Sequence, residues 1–260
     1  MNGEHLKIVF DLRFKAANRK EVVRDLLEKV DAYNWIEAPL VVVTPNVDHV
    51  VRLDRDRELK KIYSSAEVIV ADGFPIILAS KILGARLPER VTGADLFVDL
   101  CYEISRRSGS VFILGGKPGD ENRLKFRMEK KFPGLKVLVM APSMQFVPDG
   151  QEANDAIERI NSSAADVLFV CLGFPKQDLF SLLNREKLRV PVSMGVGAAM
   201  EFAIGDIKRA PRGVQIIGCE WLWRLCSNPK RLWRRYLIDD MAFLLVLGKE
   251  IWKGVRKSIL

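Results

Sequence analysis

The sequence predicts an α/β protein: a mostly parallel sheet flanked by helices, followed by a basic helical C-terminal appendage. Three observations carry this. Short runs rich in Val and Ile alternate with amphipathic stretches of helical period. Glycine-rich or polar segments follow almost every such run. The charge is also partitioned: the first 206 residues hold 29 Lys/Arg and 29 Asp/Glu, whereas Ile207 to Leu260 hold 12 against 4.

The candidate strands, in order, are Leu40–Val43, Val68–Ala71, Val111–Leu114, Lys136–Met140, Val167–Leu172 and Val192–Met194, with Ile8–Leu12 as an extra N-terminal strand. Helical patterns fall near 18–32, 48–62, 74–84, 93–107, 120–131, 151–162 and 176–187. Strands that are apolar throughout and alternate with helices belong to a parallel sheet covered on both faces. After Ala203 the residues Gly205, Pro211, Gly213 and Gly218 break up the chain. The 260 residues therefore divide into an α/β catalytic body, 1–206, and a basic, Trp-rich helical appendage, 207–260.

Composition excludes several classes. With 48% hydrophobic residues the chain is not a disordered one. No uninterrupted apolar run approaches the ~20 residues that span a bilayer, and the longest in the appendage is Met241–Gly248. The N-terminal MNGEH lacks a signal-peptide core, which points to work on the cytoplasmic side. Cys101, Cys171, Cys219 and Cys226 show no CxxC spacing and read as free thiols. No His/Asp/Glu set has metal-ligand spacing, so neither a metal nor another cofactor is expected.

A Rossmann-like sheet binds its ligands beyond the carboxyl ends of its strands. Those ends read Thr44-Pro45-Asn46, Ala71-Asp72-Gly73, Gly115-Gly116-Lys117-Pro118-Gly119, Gly173-Phe174-Pro175-Lys176-Gln177-Asp178 and Gly195-Val196-Gly197-Ala198. Gly115, Gly116 and Lys117 suit a nucleotide diphosphate at a helix start, or simply a tight strand-to-helix turn. Asp72, after four apolar residues, can accept a proton from a hydroxyl nucleophile or cap the next helix. Thr44, Asn46 and Gln177 offer neutral hydrogen bonds for sugar hydroxyls, or a turn and a cap. Arg90, in Leu87–Asp95, can meet phosphate or pair with a carboxylate.

The appendage places Trp221, Trp223, Trp233 and Trp252 among Arg224, Arg231, Arg234, Arg235 and Tyr236. Basic and aromatic residues together suit an anionic membrane surface, where rings settle at headgroup level and Arg and Lys meet phosphate. Single-stranded nucleic acid is also read by such residues, but the neutral body and the apolar character of the appendage argue against nucleic acid as a partner. The tryptophans would equally pack on the body or on a neighbouring subunit, so a homo-oligomer is open.

These strings carry a resemblance. With Leu87–Gly93, Lys208-Arg209-Ala210-Pro211, Glu220–Leu225 and Pro229–Tyr236, the ordered blocks from about Phe10 to Tyr236 resemble the WecG/TagA/CpsF family of bacterial glycosyltransferases (glycosyltransferase family 26). The resemblance implies transfer of a sugar, N-acetylmannosamine in the best-known members, from a UDP-sugar to a polyprenyl-diphosphate-linked GlcNAc acceptor. It implies inversion at the anomeric centre, no metal ion, and a peripheral location on the inner face of the bacterial membrane. It makes Asp72 the base and puts Thr44, Asn46, Gln177 and Arg90 in the pocket. Gly115, Gly116, Lys117, Gly173, Lys176, Gly195, Gly197 and Arg209 belong to the same substrate surface. Arg212, Arg224, Arg231 and Arg234 match arginines thought to close over the site at the membrane. Two stretches depart from the pattern, both where donor or acceptor is sensed: Met200-Glu201, where members commonly carry Phe-Asp, and Ala141–Phe146.

Overall fold

The computed structural model describes residues 6–216, 218, 220–234 and 241–259. Eight strands form one sheet: β1 Leu6–Val9, β2 Leu12–Lys15, β3 Leu40–Val43, β4 Val68–Ile69, β5 Ser110–Gly115, β6 Lys136–Met140, β7 Val167–Cys171 and β8 Val192–Gly195. Their order across the sheet is β1-β2-β4-β3-β8-β7-β5-β6, and every pairing except β1 with β2 is parallel. The helices are α1 Arg19–Asp31, α2 Val47–Arg55, α3 Arg57–Tyr63, α4 Phe74–Ile82, α5 Gly93–Arg106, α6 Glu121–Lys131, α7 Gln151–Ser163, α8 Lys176–Leu183, α9 Ala199–Ile204, α10 Arg212–Ile216, α11 Glu220–Ser227, α12 Pro229–Arg234 and α13 Ala242–Ile259.

Successive strand residues point to opposite faces, and β3 shows how both faces are filled. Val42 enters a core shared with α1, α5, α6 and α9, while Val41 and Val43 enter one shared with α2, α3, α4 and α13. A third cluster, around Phe112, Phe146, Ile160 and Phe180, lies under α7 and α8.

Three elements differ from the sequence expectation. Ile8–Leu12 is not one strand: Ile8 and Val9 end β1, Phe10-Asp11 form a hairpin turn, and Leu12 opens β2. Phe10 and Asp11 take φ of 55° and 59°, the pair of positive values that a two-residue hairpin turn requires. Each such residue costs about 1–2 kcal/mol without glycine. Here Phe10 is buried against the Phe243 ring, 5.4 Å away, and Lys60 and Lys253 both bind the Asp11 carboxylate. The helix expected over 48–62 breaks at Asp56. That residue is extended, and its side chain accepts from the Leu59 N–H at 2.9 Å, capping α3. The helix expected to reach 187 ends at Leu183, and Arg185–Lys187 form a single 3-10 turn.

The appendage joins this packing. Phe243 and Val246 of α13 are buried in the second core, and Lys249 binds Asp54 of α2 at 2.7 Å. Residue 206 is therefore a boundary of charge rather than of packing. Among the described residues no helix is long and apolar enough to cross a membrane. Cys101, Cys171 and Cys226 are free thiols, while Cys219, Arg235 and Tyr236 lie outside the described residues.

Candidate active site

Ligand crevices open where adjacent strands send their connections to opposite faces. Here β5 leads into α6 on one face and its neighbour β7 into α8 on the other. The neighbours β8 and β3 diverge in the same way, into α9 and α2. The segments that the sequence singled out follow β3, β8, β7 and β5, and Asp72 follows β4, next to β3.

Asp72 is held by backbone bonds beyond the end of β4. Its N–H donates to Pro45 O at 3.0 Å, which fastens the Asp72 backbone to the Thr44-Pro45-Asn46 segment. On the other side Val91 N–H donates to Ala71 O at 2.9 Å, fastening the loop that carries Arg90. Thr44 is buried, and Gly93 at the start of α5 packs on its hydroxyl so closely that a Cβ there would lie 3.0 Å from Oγ1. Asn46 caps α2, its Oδ1 accepting from the His49 N–H at 3.3 Å.

Gln177 is a brace. Its Oε1 accepts from the N–H groups of Gly173 and Gly197, at 3.2 and 2.9 Å, and so ties the loop after β7 to the turn after β8. The Gly173-Phe174-Pro175 loop is gripped from α2 as well. Phe174 stacks on His49 with centroids 4.0 Å apart, and Arg52 lies over its other face while donating to Phe174 O.

Asp178 is the residue that the sequence did not single out. It is 1% exposed, and among the described residues neither carboxylate oxygen has a hydrogen-bond partner. Burial pushes its carboxyl up to about 7. It borders Gly195 so closely that a Cβ there would meet Asp178 Oδ1 at 2.5 Å and Gln177 Nε2 at 2.9 Å, so the position accepts only glycine. The Tyr63 hydroxyl, 3.3 Å from His49 Nδ1, is fully buried nearby. Burial, and then the Asp178 and Asp72 carboxylates, raise the Tyr63 phenol well above its ordinary value. The only sequence signal was an acidic residue followed directly by Leu179-Phe180 at the start of a helix.

Gly115, Gly116 and Lys117 stand at the end of β5, with Lys117 exposed. Gly115 is dictated by the neighbouring strand, since a Cβ there would lie 2.6 Å from that of Cys171. Across this crevice Glu201 of α9 has a buried Oε2 with no hydrogen-bond partner among the described residues, and burial raises its carboxyl. Lys176 points away, donating to Met144 O at 3.3 Å.

The arginines form a second group. Arg209 binds Asp95 at 2.6 Å, and Arg209 and Arg90 share Glu220 of α11 at 3.9 and 3.5 Å. Burial would raise the Asp95 carboxyl, but its bonds to Arg209 and Thr92 and the charge of Arg19 hold it below the usual range. Arg90 thus pairs with a carboxylate, one of the two roles open from sequence. A cavity of about 530 Å³ adjoins this cluster, lined by Phe74, Arg90, Asp95, Arg212 and Gln215 among others. A larger one, about 950 Å³, lies between α1 and α5 and touches none of the strand ends. Arg234 is exposed on α12, and the Arg224 and Arg231 side chains lie outside the described residues. Among the described residues no three His, Cys, Asp or Glu side chains group as a metal site.

Residues 7–257 match the model of the glycosyl transferase WecG/TagA/CpsF family. The chain belongs to that family. It is a glycosyltransferase. Two similar proteins are both named N-acetylglucosaminyldiphosphoundecaprenol N-acetyl-beta-D-mannosaminyltransferase. The one from Bacillus spizizenii is 31% identical over 209 residues, covering 80% of this chain and 79% of that protein. The one from Bacillus subtilis is 29% identical over 226 residues, covering 87% and 85%.

Proposed function

We propose that this glycosyltransferase moves N-acetylmannosamine from a UDP-sugar to a polyprenyl-diphosphate-linked GlcNAc, in a single inverting displacement that needs no metal ion. The names of the two Bacillus relatives support the sugar and the acceptor. The observation that supports the mechanism is the backbone bond from Asp72 to Pro45, which brings the Asp72 strand end next to the Thr44-Pro45-Asn46 strand end.

In this reading Asp72 takes the proton of the acceptor hydroxyl as its oxygen attacks C1 of the donor sugar. The bond from C1 to the UDP oxygen breaks on the opposite face, and the anomeric centre inverts. Thr44 and Asn46 orient the sugars, while Gln177 acts through the backbone it braces, keeping the Gly173 and Gly197 loops in register. The buried Glu201 oxygen would accept a hydroxyl or ring N–H of the donor. Negative charge growing on the leaving diphosphate is met by backbone N–H groups near Gly115–Gly119 or Gly195–Ala198. The protein works on the cytoplasmic face of the membrane, with the basic appendage against anionic lipid.

The test is UDP release with Asp72→Asn, which should fold normally and lose about 10²-fold or more of the turnover, the usual worth of a general base. Near-normal turnover in that variant would remove Asp72 from the role.

A further inference from the structure

Helix α4 has the sequence FPIILASKI, in which only Ser80 and Lys81 are polar. Ser80 is buried and locally satisfied, donating to Ile77 O at 2.7 Å and accepting from Leu87 N–H at 3.1 Å. Ile76, Ile77 and Ala79 fill the second core. The opposite side is just as apolar and about half exposed: Phe74, against which Gly218 packs, and Leu78 and Ile82 are 49%, 48% and 54% exposed. Residues four apart lie on one helix face, so these three form a single file. A helix that is apolar all round is one that is buried all round, whereas α4 is covered only in part on this side.

The stripe starts at the reaction centre. Phe74 is two residues beyond Asp72 and lines the cavity that Arg90 and Arg212 share. At 1.5 Å rise per residue, Leu78 and Ile82 stand about 6 and 12 Å along the helix axis from Phe74. An acceptor of the class used by the Bacillus relatives has three parts in the same order: a sugar, a diphosphate and a hydrocarbon chain. With the sugar hydroxyl at Asp72, the diphosphate reaches the arginine-lined cavity. The hydrocarbon then begins beside Leu78, about one helical turn beyond Phe74. Three side chains in single file suit one extended hydrocarbon chain and fall far short of the ~1,000 Å² that a stable protein interface buries.

We propose that Phe74, Leu78 and Ile82 form the track for the first isoprene units of the acceptor's polyprenyl chain. This rests on the lipid-linked acceptor proposed above and adds where its lipid lies.

The test compares two acceptors in detergent with the full-length protein: GlcNAc-diphosphate carrying a polyprenyl chain, and the same headgroup carrying only a methyl group. The double variant Leu78→Gln, Ile82→Gln should raise the KM ratio of polyprenyl to methyl acceptor about tenfold, because two apolar side chains no longer shield the hydrocarbon from water. Leu78→Met, Ile82→Leu should keep the wild-type ratio. An unchanged ratio in the Gln variant overturns the proposal. So does a parallel loss of binding to acceptor-free anionic vesicles, which would make α4 a bilayer-facing surface, or a shift from oligomer to monomer with the ratio intact. If wild type turns over neither acceptor, the lipid-linked reading itself fails. Calorimetric binding of the two acceptors then still decides the track: tighter binding of the polyprenyl form that the Gln variant abolishes supports it, and equal binding rejects it.

Discussion

Asp178→Asn isolates the most unusual group in the fold. The carboxyl moves from an ordinary value of 3.8 to about 7 because burial disfavours its charged form. Between those two values the folded protein holds a proton that the unfolded chain has released. Stability therefore falls as pH rises from about 4 to about 7 and stays low above. One pKa unit corresponds to 1.36 kcal/mol, so a shift of about three units costs the fold roughly 4 kcal/mol at pH 8, or about 2–4 allowing for relaxation around the ionised group. Asparagine is nearly isosteric and cannot ionise. Urea unfolding of wild type and variant across pH 4.5 to 8 should show little difference at the acid end. At pH 8 the variant should be more stable by about 2–4 kcal/mol, with the gap opening through the window that ends near 7. A difference that stays flat across that range, or a variant less stable at pH 8, would refute the reasoning.

Two further outcomes follow from the appendage. Glu220→Gln removes the carboxylate shared by Arg90 and Arg209, leaving the buried Arg209 Nε still further from compensation. It should lower stability by about 1–3 kcal/mol and speed proteolysis between 211 and 234; unaltered cleavage would mean that Glu220 does not dock the segment. On α13, Leu245 and Trp252 lie on the exposed side, away from the buried Phe243 and Val246. Leu245→Glu with Trp252→Glu should reduce binding to anionic vesicles without changing the melting temperature, and retained binding would take α13 out of the membrane-facing surface.

The sheet was legible because its strands are apolar on both faces, and because the chemistry lies where a parallel sheet must present it. Leu40–Val43 and Lys136–Met140 match to the residue. The hairpin at Phe10-Asp11 was not legible, since its turn lacks glycine and depends on Phe243, more than two hundred residues away. The break at Asp56 was visible only as an acidic residue inside a helical pattern. Thr44, Asn46 and Asp72 were legible as neighbours because they follow strands that pair side by side. Gln177 was read as serving either sugar hydroxyls or a turn, and its oxygen accepts from two glycine N–H groups, a loop-bracing role. Asp178 and Glu220 escaped because their significance lies in what surrounds them, a sealed cavity wall in one case and two distant arginines in the other.

The most direct test of the central claim is UDP release from UDP-N-acetylmannosamine with GlcNAc-diphospho-polyprenol, in the presence of EDTA, by wild type and by Asp72→Asn. The account predicts turnover by wild type that EDTA does not diminish and that the variant loses by about 10²-fold or more. Wild-type activity abolished by EDTA, or a variant as active as wild type, would contradict it.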